Sequence, residues 1–417
     1  MKRRDFMLGM SGFAGLAAAH TLLRSRPAAA AAADRPAPRA KACILLWLNG
    51  GPSHLDTWDP KPGTAVGGKF KAIATKTPGL TISEHLPQVA AMSDRLAVLR
   101  GMTSKEGNHD RAQHLVHTGF TPNPTVDYPS LGGWVAHELG DPNAELPLFV
   151  SINGPSLSAG FLGVQYNPFI IQNVKQPLQN TDYPPGVDMV RFIKRKQALE
   201  SLEDDFLART GDVKVKGRRA VYARAIRMMY APRLKAFDIA DEPEPTLRAY
   251  GDSDFGRGCL MARRLVEGGV RFVEVVLDGW DTHKDNFGRT EKLMGALDPA
   301  LATLLAELEA RKLLDSTLVM CMGEFGRSPK INENDGRDHH PAAWSAVMAG
   351  GGVRGGTVVG ATSEDGDKVV ARPIAVAELM ATATTLLGMD PDKEVMTPLG
   401  RPIALTDNGK PIAEILA

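Results

Sequence analysis

Long apolar runs alternate along the chain with stretches in which apolar residues recur at helical spacing. Continuous apolar runs at residues 42–48, 270–277 and 317–322 predict buried strands. Helical spacing at residues 255–268 and 293–314 predicts amphipathic helices between the strands. Strands that alternate with such helices pair in parallel and are covered on both faces. The pattern therefore predicts a three-layer α/β/α fold with a largely parallel central sheet.

The pattern changes in the middle of the chain. Residues 154–185 are rich in Gly, Pro, Asn and Gln and show little periodicity, and residues 189–207 and 217–237 have the pattern of charged amphipathic helices. We expect about 155–250 to form an inserted cap or helical layer outside the sheet. Long loops of this kind are often functional, so we also expect the cap to lie over or beside the cleft as a specificity element.

Four short polar clusters stand out against this background, at residues 49–56, 108–111, 278–283 and 323–327, the last trailed by residues 337–340. They hold five of the ten His residues, and three of them follow predicted strands. Residues just past the ends of parallel strands gather at one edge of the sheet. Imidazole and carboxylate groups brought together there suit a divalent metal such as Zn or Mn, as one or two ions. Ordinary loop polarity would explain any single cluster, but three at the same topological position favour a site.

The following side chains are therefore expected to converge on one sheet edge: His54, Asp56, His109, Asp281, His283, Glu324 and His339.

The first residues have the composition of an export signal. Two adjacent arginines, Arg3 and Arg4, precede a modest apolar stretch at 8–23 and a small-residue tract at 28–33. This order predicts a twin-arginine signal peptide over residues 1–33, which the twin-arginine export machinery would recognise. Gly, Ser, His and Thr interrupt the apolar stretch, so it is too weak for a stable membrane span. We expect a mature protein from residue 34 to 417 that is periplasmic or secreted.

Charge and cysteine usage narrow the function classes. The formal net charge is +1 over 417 residues and no basic block is present, which argues against a nucleic-acid partner. Cys43, Cys259 and Cys321 lie in apolar surroundings without close spacing, so we expect buried thiols and no disulfide framework. The glycines at residues 350–356 lack the Lys-Ser/Thr of a phosphate loop and predict a hairpin-like turn. A GxSxG elbow is missing from the sequence, so a serine esterase is not supported.

Longer stretches resemble the bacterial domain-of-unknown-function 1501 family of twin-arginine exported proteins. The matching stretches are RRDF at 3–6, GGPSHLDTWDPK at 50–61, SEHLP at 83–87, YPSLG at 128–132, ARRLVEGGVRFV at 262–273, GWDTH at 279–283, MGEFGRSP at 322–329 and GRDH at 336–339. The resemblance runs in order over nearly the whole chain. It implies a fold similar to the alkaline phosphatase and sulfatase superfamily, whose members use metal ions to hydrolyse phosphate or sulfate esters.

The superfamily pattern is only partly present in this chain. Its first strand commonly ends in Asp-Gly with the Asp on the metal, whereas here Asn49 precedes Gly50, and His54 or Asp56 would have to substitute. The nucleophile position falls on His109, which is neither a hydroxyl nor a thiol. The metal positions that the resemblance implies are His54, Asp56, Asp281, His283, Glu324 and His339.

Two functions from different classes follow from the resemblance and the residues. The first is an exported metal-dependent hydrolase that acts on a small anionic ester or on a sulfated or phosphorylated polymer. In it, His109 would be a ligand, general base or covalent acceptor, and Arg111 and Arg327 would clamp anionic oxygens. Alternatively, Arg111 could simply pair with a nearby carboxylate. Arg337, which directly precedes Asp338, is expected to form a loop-fixing pair with it. The second function is a non-catalytic exported binding or assembly protein that retains the fold.

Overall fold

A nine-stranded sheet forms the centre of the molecule in a computed structural model that describes residues 39–176, 178, 181–212 and 214–417. The predicted signal peptide at residues 1–33 lies outside the described residues. The sheet contains, in spatial order, β12 (Thr357–Val359), β4 (Leu96–Thr103), β11 (Trp344–Ala349), β8 (Thr317–Met322), β1 (Ala42–Asn49), β7 (Phe272–Asp278), β5 (Phe149–Ile152) and β6 (Phe169–Ile171), and β15 (Ile374–Ala375) also pairs with β4.

The remaining strands of the described chain form small two-stranded sheets. They are β2 (Ala72–Ala74), β3 (Thr81–Ser83), β9 (Gly326–Ile331), β10 (Arg337–His340), β13 (Ala361–Thr362), β14 (Val369–Ala371), β16 (Glu394–Met396) and β17 (Pro402–Ala404). The α-helices are α1 (Pro87–Ala91), α2 (His109–Thr118), α3 (Leu131–Glu138), α4 (Met189–Thr210), α5 (Lys214–Met229), α6 (Glu244–Ala249), α7 (Asp254–Glu267), α8 (Asn286–Ala310) and α9 (Val376–Leu386).

The sheet is parallel apart from one strand. β1 pairs in parallel with β7 and β8, and the chain continues outward in parallel through β5 and β6. Only β11, among the strands of this sheet, runs antiparallel to its neighbours β4 and β8. The register places Asn49 beside Asp278, so the carboxyl ends of β1 and β7 finish level with each other. The loops that follow these strands therefore start at the same edge of the sheet.

Both faces of the sheet are buried, as the continuous apolar runs predict. In β1, Ile44, Leu46 and Leu48 pack into a core on the side of α7 and α8, while Leu45 and Trp47 pack into a second core with α3 and α9. Alternate residues of a strand point to opposite faces, so a strand that is buried on both sides, such as β1, is apolar at nearly every position. The predicted three-layer α/β/α architecture is confirmed.

The glycine-rich segment 350–356 differs from the prediction. It was expected to be a hairpin-like turn, but β11 and β12 do not pair with each other, and β4 lies between them. Gly350, Gly351 and Gly352 have φ values of +63°, +56° and +92°, which return the chain across the end of β4. Local turn composition does not specify which strand the chain will join next.

The inserted region at about 155–250 was expected to lie outside the sheet, but β6 belongs to it and pairs with β5 as the last strand at one edge, because the extended segment 169–171 completes the backbone hydrogen bonds of that edge. Helices α4 and α5 follow each other, and Arg224 and Arg227 of α5 donate hydrogen bonds to Gln165 O and Pro142 O. The insertion thus contacts the segments around β5 and β6. Its expected role as a specificity element over the cleft stays a prediction. In the described part of the chain, every helix is too short or too polar to cross a membrane.

Candidate metal centre

Four loops bring imidazoles and carboxylates together at the carboxyl edge of the sheet. His109 is the first residue of α2, which follows β4, and Asn108 caps this helix by accepting from Arg111 N. Asp281 and His283 follow β7, and Glu324 follows β8. His339 lies on β10, in the β9–β10 hairpin that continues from β8. Five of the seven side chains that the sequence placed at one edge meet there.

A histidine cluster, defined as His109, Asp281, His283 and His339, has its ligand-type atoms close together. Nε2 of His283 lies 2.9 Å from Nε2 of His339, and it lies 3.2 Å from Oδ1 of Asp281. Nε2 of His109 and Nε2 of His339 are each 3.4 Å from the same Asp281 oxygen. In His109, Asp281 and His339, the candidate ligand atoms all lie within 4.8 Å of one another. Three ring nitrogens therefore surround one carboxylate oxygen.

The second nitrogen of each imidazole is held by an acceptor. Nδ1 of His283 is 2.7 Å from Asp338 Oδ1, Nδ1 of His109 is 2.7 Å from Glu324 Oε1, and Nδ1 of His339 is 2.7 Å from Gly107 O. A carbonyl or an ionised carboxylate only accepts, so each Nδ1 carries the hydrogen. In the neutral tautomer, each Nε2 then presents a lone pair. This division of roles is typical of metal-ligating histidines.

Arg327 holds Asp281 in place through a hydrogen bond. Its side chain is fully buried, its Nη2 donates to Asp281 Oδ1 at 2.7 Å and to Gly50 O, and its Nε donates to Gly51 O at 2.9 Å. Burial by itself raises the pKa of Asp281, but the hydrogen bond and charge of Arg327 lower it, with help from His109 and His283, to about 2. Asp281 is therefore anionic at neutral pH.

The imidazole pKa values follow their surroundings. The hydrogen bond to Glu324 raises the pKa of His109 above its ordinary value. Burial lowers the pKa of His339, and the nearby charges of Arg327 and His109 lower it further, against the hydrogen bond to Gly107 O. His339 is thus neutral at pH 7, with its Nε2 lone pair directed at an anion and at another imidazole nitrogen.

These residues fit a divalent cation. Nε2 of His109 is buried and has no hydrogen-bond partner. Ring nitrogens that lie this close to each other and to an anionic oxygen are stabilised by a positive charge among them, either a proton on an imidazole or a metal cation. Three imidazole nitrogens and one carboxylate oxygen form a ligand set that zinc, manganese and iron accept.

One apolar ring and two tightly packed glycines surround the histidine cluster. Phe325 is buried, and its ring centroid lies 5.0 Å from that of His109 and 4.6 Å from that of His339. Gly50 has φ +113°, and a Cβ at this position would come within 2.3 Å of Asp281 N. Gly336 is equally constrained, because a Cβ there would meet His283 O at 2.0 Å. The cluster therefore has one apolar wall and depends on two positions without side chains.

Glu324 contacts the histidine cluster from outside, through His109. Its carboxylate accepts from Gly50 N at 3.0 Å as well as facing His109 Nδ1. The side chain is fully buried. Its contacts make it a group that orients His109, and the histidine cluster that we define does not include it.

The structure places the other candidate residues elsewhere. His54 is buried, its Nε2 bonds Gly366 O at 2.9 Å, and burial lowers its pKa to about 4. Asp56 is fully buried and pairs with Arg337, whose Nε lies 2.8 Å from Asp56 Oδ2. Arg111 pairs with Glu106 at 2.6 Å.

Asn49 has a structural role in a polar network. Its side chain accepts from Gln113 Nε2 at 2.7 Å and donates to Asp278 Oδ1 at 2.8 Å.

Sequence reasoning missed three groups of the site: the Gly107 carbonyl, Asp338 as the partner of His283, and Arg327 as the partner of Asp281. Only Asp338 had a signal in the sequence, because an acidic residue directly precedes His339.

The family of the chain can be stated from its sequence. A model of the family described as "Protein of unknown function (DUF1501)" matches residues 40–416. The chain belongs to the DUF1501 family. No curated protein matches this family member in sequence.

Solved structures resemble this DUF1501 protein at low identity. The lipoteichoic acid synthase LtaP from Listeria monocytogenes is 10% identical with a TM-score of 0.41, and the match covers 92% of this chain and 78% of that one. The PsFucS1 sulfatase from Pseudoalteromonas sp. is 13% identical with a TM-score of 0.38, covering 92% and 75%. A protein in the alkaline phosphatase superfamily from Vibrio parahaemolyticus is 11% identical with a TM-score of 0.38, covering 85% and 69%.

Proposed function

We propose that this chain is an exported, metal-dependent hydrolase of phosphate or sulfate esters, with the metal held by the histidine cluster. The observation that carries the proposal is the arrangement of the three imidazoles. Each Nδ1 is fixed by an acceptor, and each Nε2 is directed at Asp281 Oδ1. Export is inferred from the twin arginines and the short apolar stretch within residues 1–33.

The residues around the cluster prepare it for this chemistry. Asp281 contributes an anionic oxygen, and Asp338 and Glu324 keep the rings of His283 and His109 in one tautomer. Phe325 excludes water from one side of the site. A divalent cation held there would act as a Lewis acid toward a phosphoryl or sulfuryl oxygen and would promote the ionisation of water.

We assign His109 as a ligand, among the three roles that the sequence left open. Its Nδ1 is occupied by Glu324, and its Nε2 lies 3.4 Å from Asp281 Oδ1. If His109→Ala loses turnover but retains the metal, His109 is instead the general base or covalent acceptor.

One observation favours the non-catalytic alternative, a binding or assembly protein. Both arginines that were expected to clamp anionic ester oxygens already have partners, since Arg327 bonds Asp281 and backbone carbonyls and Arg111 bonds Glu106. Under this alternative, the chain keeps the fold and the histidine cluster has no catalytic role.

Metal analysis combined with a substrate panel tests the proposal. The purified mature protein is analysed for metal content and assayed against phosphate monoesters, phosphate diesters and sulfate esters. We expect close to stoichiometric metal and turnover of at least one ester class. Metal without turnover of any ester would favour the alternative. Protein that holds no metal after incubation with Zn²⁺ and Mn²⁺ would exclude the metal-dependent hydrolase and leave the binding or assembly protein.

A further inference from the structure

An apolar cavity lies at the inserted helices, away from the histidine cluster. It has a volume of about 410 Å³ and lies between helix α5 and the segment 164–169. Val221, Tyr222, Ala225 and Met228 of α5 line one wall. This volume is within the range of small-molecule sites in proteins.

The helical wall presents a partly exposed apolar stripe to the cavity. Ala225 lies three or four residues after Tyr222 and Val221, and Met228 lies three residues further on, so the four positions share one face of the helix. Val221 is 41% exposed and Tyr222 is 49% exposed, although both side chains are large and apolar or aromatic. Phe169 and Pro147 contribute apolar surface from the other side. The cavity is thus suited to an alkyl or other apolar group.

Two arginines supply the only strong charges among the residues that line the cavity. Arg224 is half-buried and donates from Nη1 to Gln165 O at 2.8 Å, while its Nε is buried without a hydrogen-bond partner. Burial lowers the pKa of Arg224, and Arg227 adds to this effect. Arg218 lies over the ring of Tyr222, with 5.6 Å from its guanidinium carbon to the ring centroid, and its Nε lies 3.6 Å from Glu203 Oε1, so its two amino groups are the donors left for a ligand. Nη1 of Arg224 is engaged and its Nε is buried, so its second amino group is the donor that an anionic oxygen in the cavity would meet.

We propose that this cavity binds a small free amphiphile, consisting of an alkyl chain with one carboxylate, sulfate or phosphate head group. The alkyl chain packs against the apolar stripe of α5, and the head group accepts hydrogen bonds from Arg224 and Arg218. The site is separate from the histidine cluster, because none of the four cluster residues lines the cavity. It is a binding function in addition to the proposed hydrolase activity.

Calorimetric titration of the full mature protein with decanoate below its micellar concentration tests this binding. The uncharged analogue 1-decanol has the same alkyl chain and isolates the contribution of the head group. Arg224→Met keeps most of the side-chain volume and removes the charge, and we expect it to weaken decanoate binding by about tenfold or more. The matched control is Arg209→Met, on the exposed surface of α4, which should bind decanoate like the wild type.

A second variant tests the cavity itself. Ala225→Trp places a large side chain into the cavity from an exposed helix position and should abolish decanoate binding while the circular dichroism spectrum stays unchanged. The proposal is overturned if decanoate does not bind, if 1-decanol binds equally well, or if Arg224→Met has the affinity of the wild type. Binding to anionic phosphatidylglycerol vesicles without binding of monomeric decanoate would also overturn it, because the surface would then be recognising a membrane.

Discussion

At the scale of single residues, the imidazoles of the histidine cluster use their two nitrogens differently. One nitrogen donates to a carboxylate or carbonyl that belongs to the fold, and the other is left for the proposed metal. The outer partners fix the ring orientation before any ion arrives, which reduces the ordering cost of binding. Substitution of a ligand should therefore lower the metal affinity more than substitution of an outer partner of that ligand.

His283→Ala should abolish metal binding and turnover. The variant removes one of three nitrogen ligands, so we expect metal affinity to fall by more than the roughly 100-fold that is typical of outer-partner changes. Titration with Zn²⁺ against a competing chelator measures the affinity. His137→Ala is the control, because His137 lies on α3 beside Glu138 and outside the cluster. Unchanged metal content in His283→Ala would contradict the assignment.

Asp338→Ala should weaken the site without destroying it. Asp338 accepts from Nδ1 of His283, so its removal frees the ring to rotate or to change tautomer. We expect metal affinity to fall by about 10- to 100-fold. The exposed Glu333 of the same hairpin provides the control variant Glu333→Ala. An equal effect of the two variants would show that general loop charge, and not the contact with His283, is responsible.

At the scale of elements, the β9–β10 hairpin must be anchored for His339 and Asp338 to hold their positions. The anchor is the buried pair of Arg337 and Asp56, which is completed by bonds from Arg337 to backbone carbonyls of Ser328 and Pro329. Asp56 also accepts from Asn286 at the start of α8. The pair thus joins the first polar loop to the hairpin.

Asp56→Ala should destabilise the whole protein. It leaves the fully buried guanidinium of Arg337 without its carboxylate, which typically costs about 3–5 kcal/mol. Urea unfolding followed by circular dichroism measures the loss. The control Lys69→Ala removes an exposed ion pair with Asp335 and should cost less than about 1 kcal/mol. Loss of metal from Asp56→Ala at unchanged stability would instead identify Asp56 as a ligand.

A second buried pair joins α2 to the sheet and should make stability depend on pH. His117 Nε2 lies 3.2 Å from Oε1 of Glu274 in the middle of β7. Burial by itself lowers the pKa of His117, but the charge and hydrogen bond of Glu274 together raise it above its ordinary value. A raised folded-state pKa adds stability that is complete below the unfolded pKa and is lost as the pH rises through the folded pKa.

His117→Gln should therefore cost more stability at about pH 6 than at about pH 9, because the protonated pair is populated only at the lower pH. Urea unfolding of the wild type and the variant at both pH values gives the difference in unfolding free energy. A difference that is equal at both pH values would show that the pair is not ionised at the lower pH.

At the scale of the whole molecule, the proposed metal would join three separate parts of the chain. His109 comes from the start of α2, Asp281 and His283 come from the loop after β7, and His339 comes from the β9–β10 hairpin. An ion that binds only the folded chain shifts the folding equilibrium by mass action. Stability should therefore depend on the free metal concentration.

Removal of the metal with a chelator should lower Tm. At free metal of about 100 times Kd, the stabilisation is about 2.7 kcal/mol, which corresponds to roughly 3–5 °C for a chain of this size. Differential scanning calorimetry with and without EDTA measures the shift. The Tm of His283→Ala should be the same with and without EDTA. Superimposable scans of the wild type with and without EDTA would contradict a bound metal.

The sequence by itself determined the layer architecture and the position of the site. The continuous apolar run of β1 required burial on both faces, and the polar residues after β1, β7 and β8 had to gather at one edge, because parallel strands end together. His109, Asp281, His283, Glu324 and His339 were expected to converge on that edge, and the structure brings them together there.

Tertiary structure alone decided which of these neighbours face one another. His54 and Asp56 follow the same strand as Gly50 but turn into the interior, where Gly366 and Arg337 satisfy them. Arg327, in the β9–β10 hairpin, contacts Asp281, although the two residues are 46 positions apart in sequence. The contact forms because Arg327 also bonds the carbonyls of Gly50 and Gly51 in the loop after β1. Spacing along a chain specifies the side of an element on which a residue lies. The direction of a loop side chain depends on which distant polar group can satisfy it once water has been removed.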